Sequence, residues 1–227
     1  MRPLLILALL SLFSWAGFAL PARGDTLTDR PQVVDRIVAH VEDDIITLSE
    51  VRELAAYQQL VDGHAEPDDR ILNELIEQWV VNNEATATQF PQPAESEVNR
   101  EVGRVQASLP SAQAYNERLA ALGITPQAVR RVVTREIYLA RYLDYKFRPA
   151  VQVGDQDIAK YYREQLVPAL TAKDQSVPPL SAVTDQIREL LVQQGVTERA
   201  ASWFDETKSR LKIEIEPETA VSSKTTP

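Results

Sequence analysis

His40 and His64 are the only histidines in 227 residues, and there is no cysteine. That leaves almost nothing for a transition-metal centre or for a Cys or His nucleophile. His40 stands in a short β-branched run with no Ser or Cys motif around it, so a surface strand position accounts for it better than a general base. Glu42, Asp43 and Asp44 follow at once. Three adjacent carboxylates could attract a cation, but the alternating ligand ladder of a calcium loop is missing, and a solvated turn explains them. Glycines number seven and none stands in phosphate-loop spacing. The expectation is no catalytic residue, no metal and no cofactor.

Three further sets could bind rather than react. Glu74, Glu77 and Glu84 recur along one helical stretch, mostly on the side expected to face solvent. Trp79 and Trp203 read first as core anchors; Trp203 is also a candidate contact for a bound polypeptide. Tyr138, Tyr142 and Tyr145 share one helical face with Arg131, Arg135 and Arg141, opposite Val129, Val133, Ala140, Leu143 and Phe147. Two readings of this aromatic and basic face stand side by side. It is a second core layer, or it is an exposed groove that grips unfolded segments by stacking and cation–π contacts.

The elements that would carry these residues are mostly helices. "VVDRIVAHVEDDIITLSEV" has two β-branched runs around the acidic turn, a hairpin pattern. Thr47 and Glu50 have capping-box spacing and open a helix from Leu48 to about Val61. "RILNELIEQWVVNNEATATQF" is helical, with Ile71, Leu72, Leu75, Ile76, Trp79 and Val80 in phase. A helix with Val98, Val102 and Val105 ends near Ser108. Another runs from Ser111 to Leu122 with Gly123 at its end. Thr125 caps the longest helix, with Pro126 in its first turn, and it lasts until about Arg148. Pro168 and Pro178-Pro179 interrupt the next stretch. Separate helices are expected over Ser181–Gln194 and Thr197–Lys208, then a strand through Leu211, Ile213 and Ile215, with a disordered tail from Pro217. A lone hairpin is barely stable in water, so the last strand is expected to return to it. The fold class is therefore mainly α with a small antiparallel β-sheet, a helical core closed by an N-terminal hairpin and a C-terminal strand.

"MRPLLILALLSLFSWAGFALPARG", residues 1–24, has an early Arg, an apolar run and small residues at Ala22 and Gly24. This is the pattern of a cleaved signal peptide, and the run is short for a membrane anchor. Without Arg2 and Arg23, residues 25–227 hold 22 basic and 33 acidic residues, a formal charge of −11. Such a surface repels nucleic acid and anionic lipid. No later stretch is apolar for long enough to span a bilayer, and a chain without cysteine suits an oxidising envelope compartment. Residues 25–216 read as one domain.

In order, these segments resemble the SurA family of periplasmic chaperones and related foldases that carry a parvulin domain. The hairpin segment is similar to the family's opening. "LNELIEQWVVNNEA" and "GITPQAVRRVVTREIYLARYL" look like its second and long later helices. "VGDQDIAKYYRE" looks like its connector, and "VTDQIRELLVQQGVTERAASWFDETKSRLKIEI" like the C-terminal helix and strand that rejoin the core. In the family a prolyl-isomerase domain follows the connector. Here, in the linker of residues 166–179, only about a dozen residues, Leu166 to Val177, stand where a domain needs at least ~50, and neither histidine lies near it. The resemblance implies a non-enzymatic, ATP-independent holdase in the periplasm whose partners are unfolded polypeptides, outer-membrane β-barrel proteins among them. The alternatives are a foldase with degenerate isomerase function and a structural subunit of an envelope complex.

Overall fold

The computed structural model describes residues 35–217; the expected signal segment and the tail beyond Pro217 lie outside the described residues. The β-branched runs fold as a hairpin, β1 (Ile37–Val41) antiparallel to β2 (Asp44–Thr47). Its turn places Glu42 at φ 52°, a left-handed conformation that is uncommon outside glycine. The returning chain holds it there. Glu42 N–H donates to the Lys212 carbonyl at 2.9 Å, and its carboxylate accepts the Lys212 N–H at 2.8 Å. β3 (Ile213–Ile215) pairs antiparallel with the other edge of β1, Val41 opposite Ile213 and Ala39 opposite Ile215, giving the order β2-β1-β3. The two ends of the described chain thus close on each other through one three-stranded sheet.

Local chemistry fixes most helix starts. Thr47 and Glu50 form the capping box of α1 (Leu48–Val61), with Thr47 N–H donating to the Glu50 carboxylate at 2.8 Å. α2 (Asp68–Ala87) starts after Pro67, and α3 (Glu95–Ala107) after the Pro91 and Pro93 segment. Ser111 Oγ caps α4 (Ala112–Leu122) by accepting from Ala114 N–H at 3.1 Å, and Gly123 ends it at φ 66°. Thr125 Oγ1 caps α5 (Pro126–Phe147) in the same way through Ala128 N–H at 3.1 Å.

Beyond α5 two boundaries differ from expectation. Pro168 does not end its helix. α6 (Asp155–Tyr161) widens into a π turn over Tyr162–Leu166 and continues as α7 (Val167–Thr171), with Pro168 in the first turn of α7. The wider i to i+5 turn sits just where the proline ring would crowd the preceding carbonyls. Gly195 does not divide the next helix either. α8 runs unbroken from Leu180 to Lys208, and with 29 residues against 22 it, and not α5, is the longest helix among the described residues. A Cβ at Gly195 would lie 2.7 Å from Val151 Cγ1, so the missing side chain makes room for the strand-like segment after α5. That contact offsets the ~1 kcal/mol a glycine costs inside a helix. Of residues 166–179, the part after Thr171 is the non-helical connection to α8. The Tyr162 hydroxyl ties it down by donating to the Pro178 carbonyl at 2.8 Å.

Buried side chains form two clusters. One lies between the sheet, α1, α2, α3, α4 and the first half of α5, and includes Leu54, Ile71, Val129, Val132 and Val133. The other joins the second halves of α2 and α5 to α8 through Val80, Val81, Ala85, Tyr138, Tyr142, Ala200 and Phe204. α5 therefore serves both, burying an aliphatic face first and an aromatic one later. The molecule is mainly helical with a small antiparallel sheet. Among the described residues no helix is long and apolar enough to cross a membrane.

Candidate functional site

The tyrosine and arginine face, read from the sequence either as a second core layer or as an exposed groove, is mostly covered. Tyr138 is 5% exposed and Tyr142 2%, whereas Tyr145 is 66% exposed. The cover is Phe90. After α2, Gln89 adopts φ 54° and Phe90 N–H bonds back to the Ala85 carbonyl at 2.8 Å, which turns the Phe90 ring onto α5. Its centroid lies 5.7 Å from that of Tyr138, 5.3 Å from Tyr142 and 5.2 Å from Tyr145. The Tyr138 hydroxyl donates to the Phe90 carbonyl at 3.2 Å. An exposed stripe at Tyr138 and Tyr142 is thus corrected to a second core layer, because a segment distant in sequence folds over it. Burial, then Glu84, pushes the Tyr142 hydroxyl up to about 12.

The arginines have partners as well. Arg131 and Arg135 both reach Glu53 on α1, at 2.5 Å and 3.3 Å. Arg141 pairs with Glu97 on α3 at 3.4 Å, with its guanidinium 5.7 Å from the Phe90 centroid. They act as ties between helices. The carboxylates of α2 behave alike, contrary to the expected solvated face. Glu74 accepts from Gln58 and Gln78, Glu77 pairs with Lys208 at 2.8 Å, and Glu84 pairs with Lys146. α5 and α8 return across that side of α2, which no local pattern announces.

Trp203 is half-buried. Its ring centroid lies 5.7 Å from Phe147 and 5.0 Å from Phe204, and Lys146 Nζ stands 4.7 Å over it. It marks the surface that stays open, the two flanks of α8. On one side a groove of about 430 Å³ runs between α5 and α8, floored by Leu139, Leu143, Val196, Ala200 and Phe204, with Ala140 and Ala201 exposed along it. On the other side a wider and more polar concavity of about 850 Å³ has Phe147, Val151, Leu191 and Trp203 in its lining beside the charged Asp157, Glu198, Arg199 and Glu206. Arg148 braces this end. It donates to Asp144 at 2.7 Å and, through two nitrogens, to Glu189 of α8 at 3.1 Å and 2.5 Å. The Arg148 hydrogen bonds hold Glu189 down at about 2. The apolar floor of the α5–α8 groove, with Glu77, Asp144 and Asp205 in its lining, can cover a hydrophobic segment and still let it go.

Trp79 bridges the two clusters, and its indole N–H donates to Asp44 at 2.8 Å. His40 lies 3.7 Å from Glu216 on the sheet, and His64 is exposed beside the Asp62 carbonyl. Among the described residues no group of three or more His, Cys, Asp or Glu could hold a metal ion.

Glu136 escaped notice in the sequence. Burial pushes its carboxyl up to about 7, and Glu74, Asp62 and Glu101 add to the effect, while a hydrogen bond with Tyr57 opposes it. Glu74 is also raised, first by burial. The signal was available. Glu136 stands four residues after Val132 and three after Val133, on the buried aliphatic face.

Compared with known proteins, the chain matches no family model and no curated sequence.

Proposed function

We propose that this chain is an ATP-independent holdase of the periplasm, which shields apolar and aromatic segments of unfolded polypeptides, outer-membrane β-barrel proteins among them. The observation that carries the reading is the open, apolar-floored groove between α5 and α8, set in a body of strongly acidic composition. A chaperone has to expose apolar area without aggregating, and net charge supplies the repulsion that permits it. Rigid aromatic walls such as Trp203 and Phe147 bury client surface at little entropic cost. The SurA-like order of hairpin, helices, connector and closing strand supports the same reading, with the short linker standing where relatives in that family carry an isomerase.

A survey of binding to many unfolded peptides tests this. A holdase accepts a broad range of apolar and aromatic sequences with Kd values in the micromolar range or weaker, about −8 kcal/mol or less. Ala140→Arg combined with Ala201→Arg places bulk and charge along the α5–α8 groove at exposed positions. It is expected to weaken peptide binding about tenfold with an unchanged melting temperature. Binding confined to one sequence would point to a structural subunit instead. In a protease-coupled assay the chain is expected not to accelerate X-Pro isomerisation, a barrier of ~18–20 kcal/mol. A rate that rises with protein concentration would overturn the non-enzymatic reading.

A further inference from the structure

β3 lies at one edge of the sheet, and its pairing with β1 fixes which way its backbone points. Glu216 N–H donates to the Val38 carbonyl and Glu42 N–H to the Lys212 carbonyl, each at 2.9 Å, with His40 opposite Glu214 between them. In an antiparallel ladder alternate residues bond to a given neighbour. Lys212, Glu214 and Glu216 therefore turn their backbone groups to β1, and Ile213 and Ile215 turn theirs to the open edge. Side chains alternate too. Ile213 and Ile215 share the face of Val41 and Ala39, which are buried, yet Ile215 is 64% exposed. Lys212 and Glu214 stand together on the other face, 3.3 Å apart and both exposed. An open edge that carries apolar side chains is a template for another strand.

We propose that this edge pairs with β3 of a second copy of the chain, antiparallel about a two-fold axis at Ile213. Such a contact uses the same patch on both copies, so the patch must complement itself. "LKIEI", Leu211 to Ile215, does so in this register. Lys212 meets Glu214 of the second copy on both sides of the axis, Leu211 meets Ile215, and Ile213 meets its own counterpart. Opposite charges across a strand pair stabilise it and like charges destabilise it. An axis at Glu214 or at Lys212 would set that residue against its own counterpart. An axis at Ile215 would bring Pro217, which has no N–H, opposite Ile213. The backbone agrees with the chosen register. Ile213 exchanges both its bonds with the second Ile213, and Ile215 N–H reaches the Leu211 carbonyl. Pairing stops there, because Leu211 N–H already donates to the Lys208 carbonyl at 3.2 Å. Leu211 of the second copy then covers the exposed Ile215, and two sheets of three strands become one of six. Charges and proline ordinarily keep edges apart. Here Lys212 finds a counter-charge, and Pro217 falls outside the paired residues. A pairing this short buries far less than the ~800 Å² per partner of a stable complex, so the dimer is weak and reversible.

The test is analytical ultracentrifugation of the chain from about 10 µM to about 1 mM, a range that brackets weak association. At about 0.15 M salt, screening to about 8 Å removes most of the repulsion between two bodies of charge −11. The average mass is expected to rise with concentration toward that of a dimer. Lys212→Glu and Glu214→Lys are each expected to weaken association about tenfold or more, since each sets like charges opposite one another on both sides of the axis. Both are expected to melt close to the parent, because both side chains are exposed and the bonds to Glu42 run through the Lys212 backbone. Lys212→Glu takes the charge from −11 to −13 and Glu214→Lys takes it to −9, so repulsion between whole bodies would weaken one and strengthen the other. An equal mixture of the two variants is expected to recover a dimer of one of each, since every charged pair is then opposite in sign. Should one variant fail to fold, the other and the parent's own concentration dependence still decide. A chain that stays monomeric to about 1 mM, a dimer indifferent to both variants, or folded variants that do not pair when mixed overturns the proposal. So does a monomeric chain that takes a peptide of alternating apolar and charged residues at this edge, which would make it a site for other polypeptides. Self-association is read separately from peptide binding along α8, so it stands or falls apart from the holdase reading.

Discussion

Among the described residues, Glu136 is expected to give the clearest pH dependence of stability near neutral pH. Its carboxyl titrates near 7 when folded against the ordinary carboxylate value of 4.5, with Tyr57 of α1, Glu74 of α2, Asp62 and Glu101 of α3 as its charged or titratable influences. The folded state therefore binds the proton more tightly than the unfolded state. The stability this contributes is full below about 4.5 and is lost as pH rises through about 7. Glu136→Gln is expected to abolish that loss, so that at pH 8 the variant exceeds the parent by about 1–3 kcal/mol in urea unfolding, with little difference at pH 5. A parent chain whose stability is flat from pH 5 to 8 relative to the variant would contradict the burial of this carboxyl. The tyrosines give a second prediction at this scale. Tyr142→Ala is expected to cost roughly 3–5 kcal/mol of stability, as for other large core aromatics, while binding per folded molecule at the α8 grooves stays unchanged. Their helical phase was legible from spacing alone. Their burial was one of two readings the spacing left open, and the cover itself was not legible, because Phe90 reaches them from a turn whose left-handed Gln89 has no sequence signature.

At the scale of elements, caps and turns were readable and breaks were not. Thr47, Ser111, Gly123 and Thr125 stand where short-range rules put them, since each acts through bonds within four residues. Gly195 and Pro168 were misread because a partner elsewhere decides their effect. Val151 packs into the space at Gly195, and a π turn absorbs Pro168. Alanine ordinarily stabilises a helix relative to glycine by up to about 1 kcal/mol. Gly195→Ala is expected to do the reverse here and destabilise by about 1 kcal/mol, because Val151 is β-branched and cannot swing aside freely. Adding Val151→Ala should restore stability, a coupling that a double-mutant cycle measures. Additive effects would mean that the 148–153 segment does not press on α8. The closing strand gives another check. A chain ending at Arg210 lacks β3 and both Lys212 bonds to Glu42. Relative to one ending at Pro217 it should lose about 2–3 kcal/mol, a fall of roughly 4–12 °C in melting temperature.

For the whole molecule, the sheet joins both ends of the described chain and α5 threads two cores, so the body is expected to unfold as a unit, while α8 presents its two flanks. The hairpin and its returning strand were foreseeable because neither is stable alone. The open grooves were not, since they arise between α5 and a helix that starts more than thirty residues after it ends. As proposed above, this acidic, groove-bearing body protects unfolded chains. The direct measurement is light scattering when an outer-membrane β-barrel protein is diluted out of urea with the chain present at increasing ratios. Scattering is expected to fall with ratio, without ATP, and Ala140→Arg with Ala201→Arg is expected to weaken this protection while the fold persists. Scattering unchanged at a several-fold excess of folded protein would contradict it.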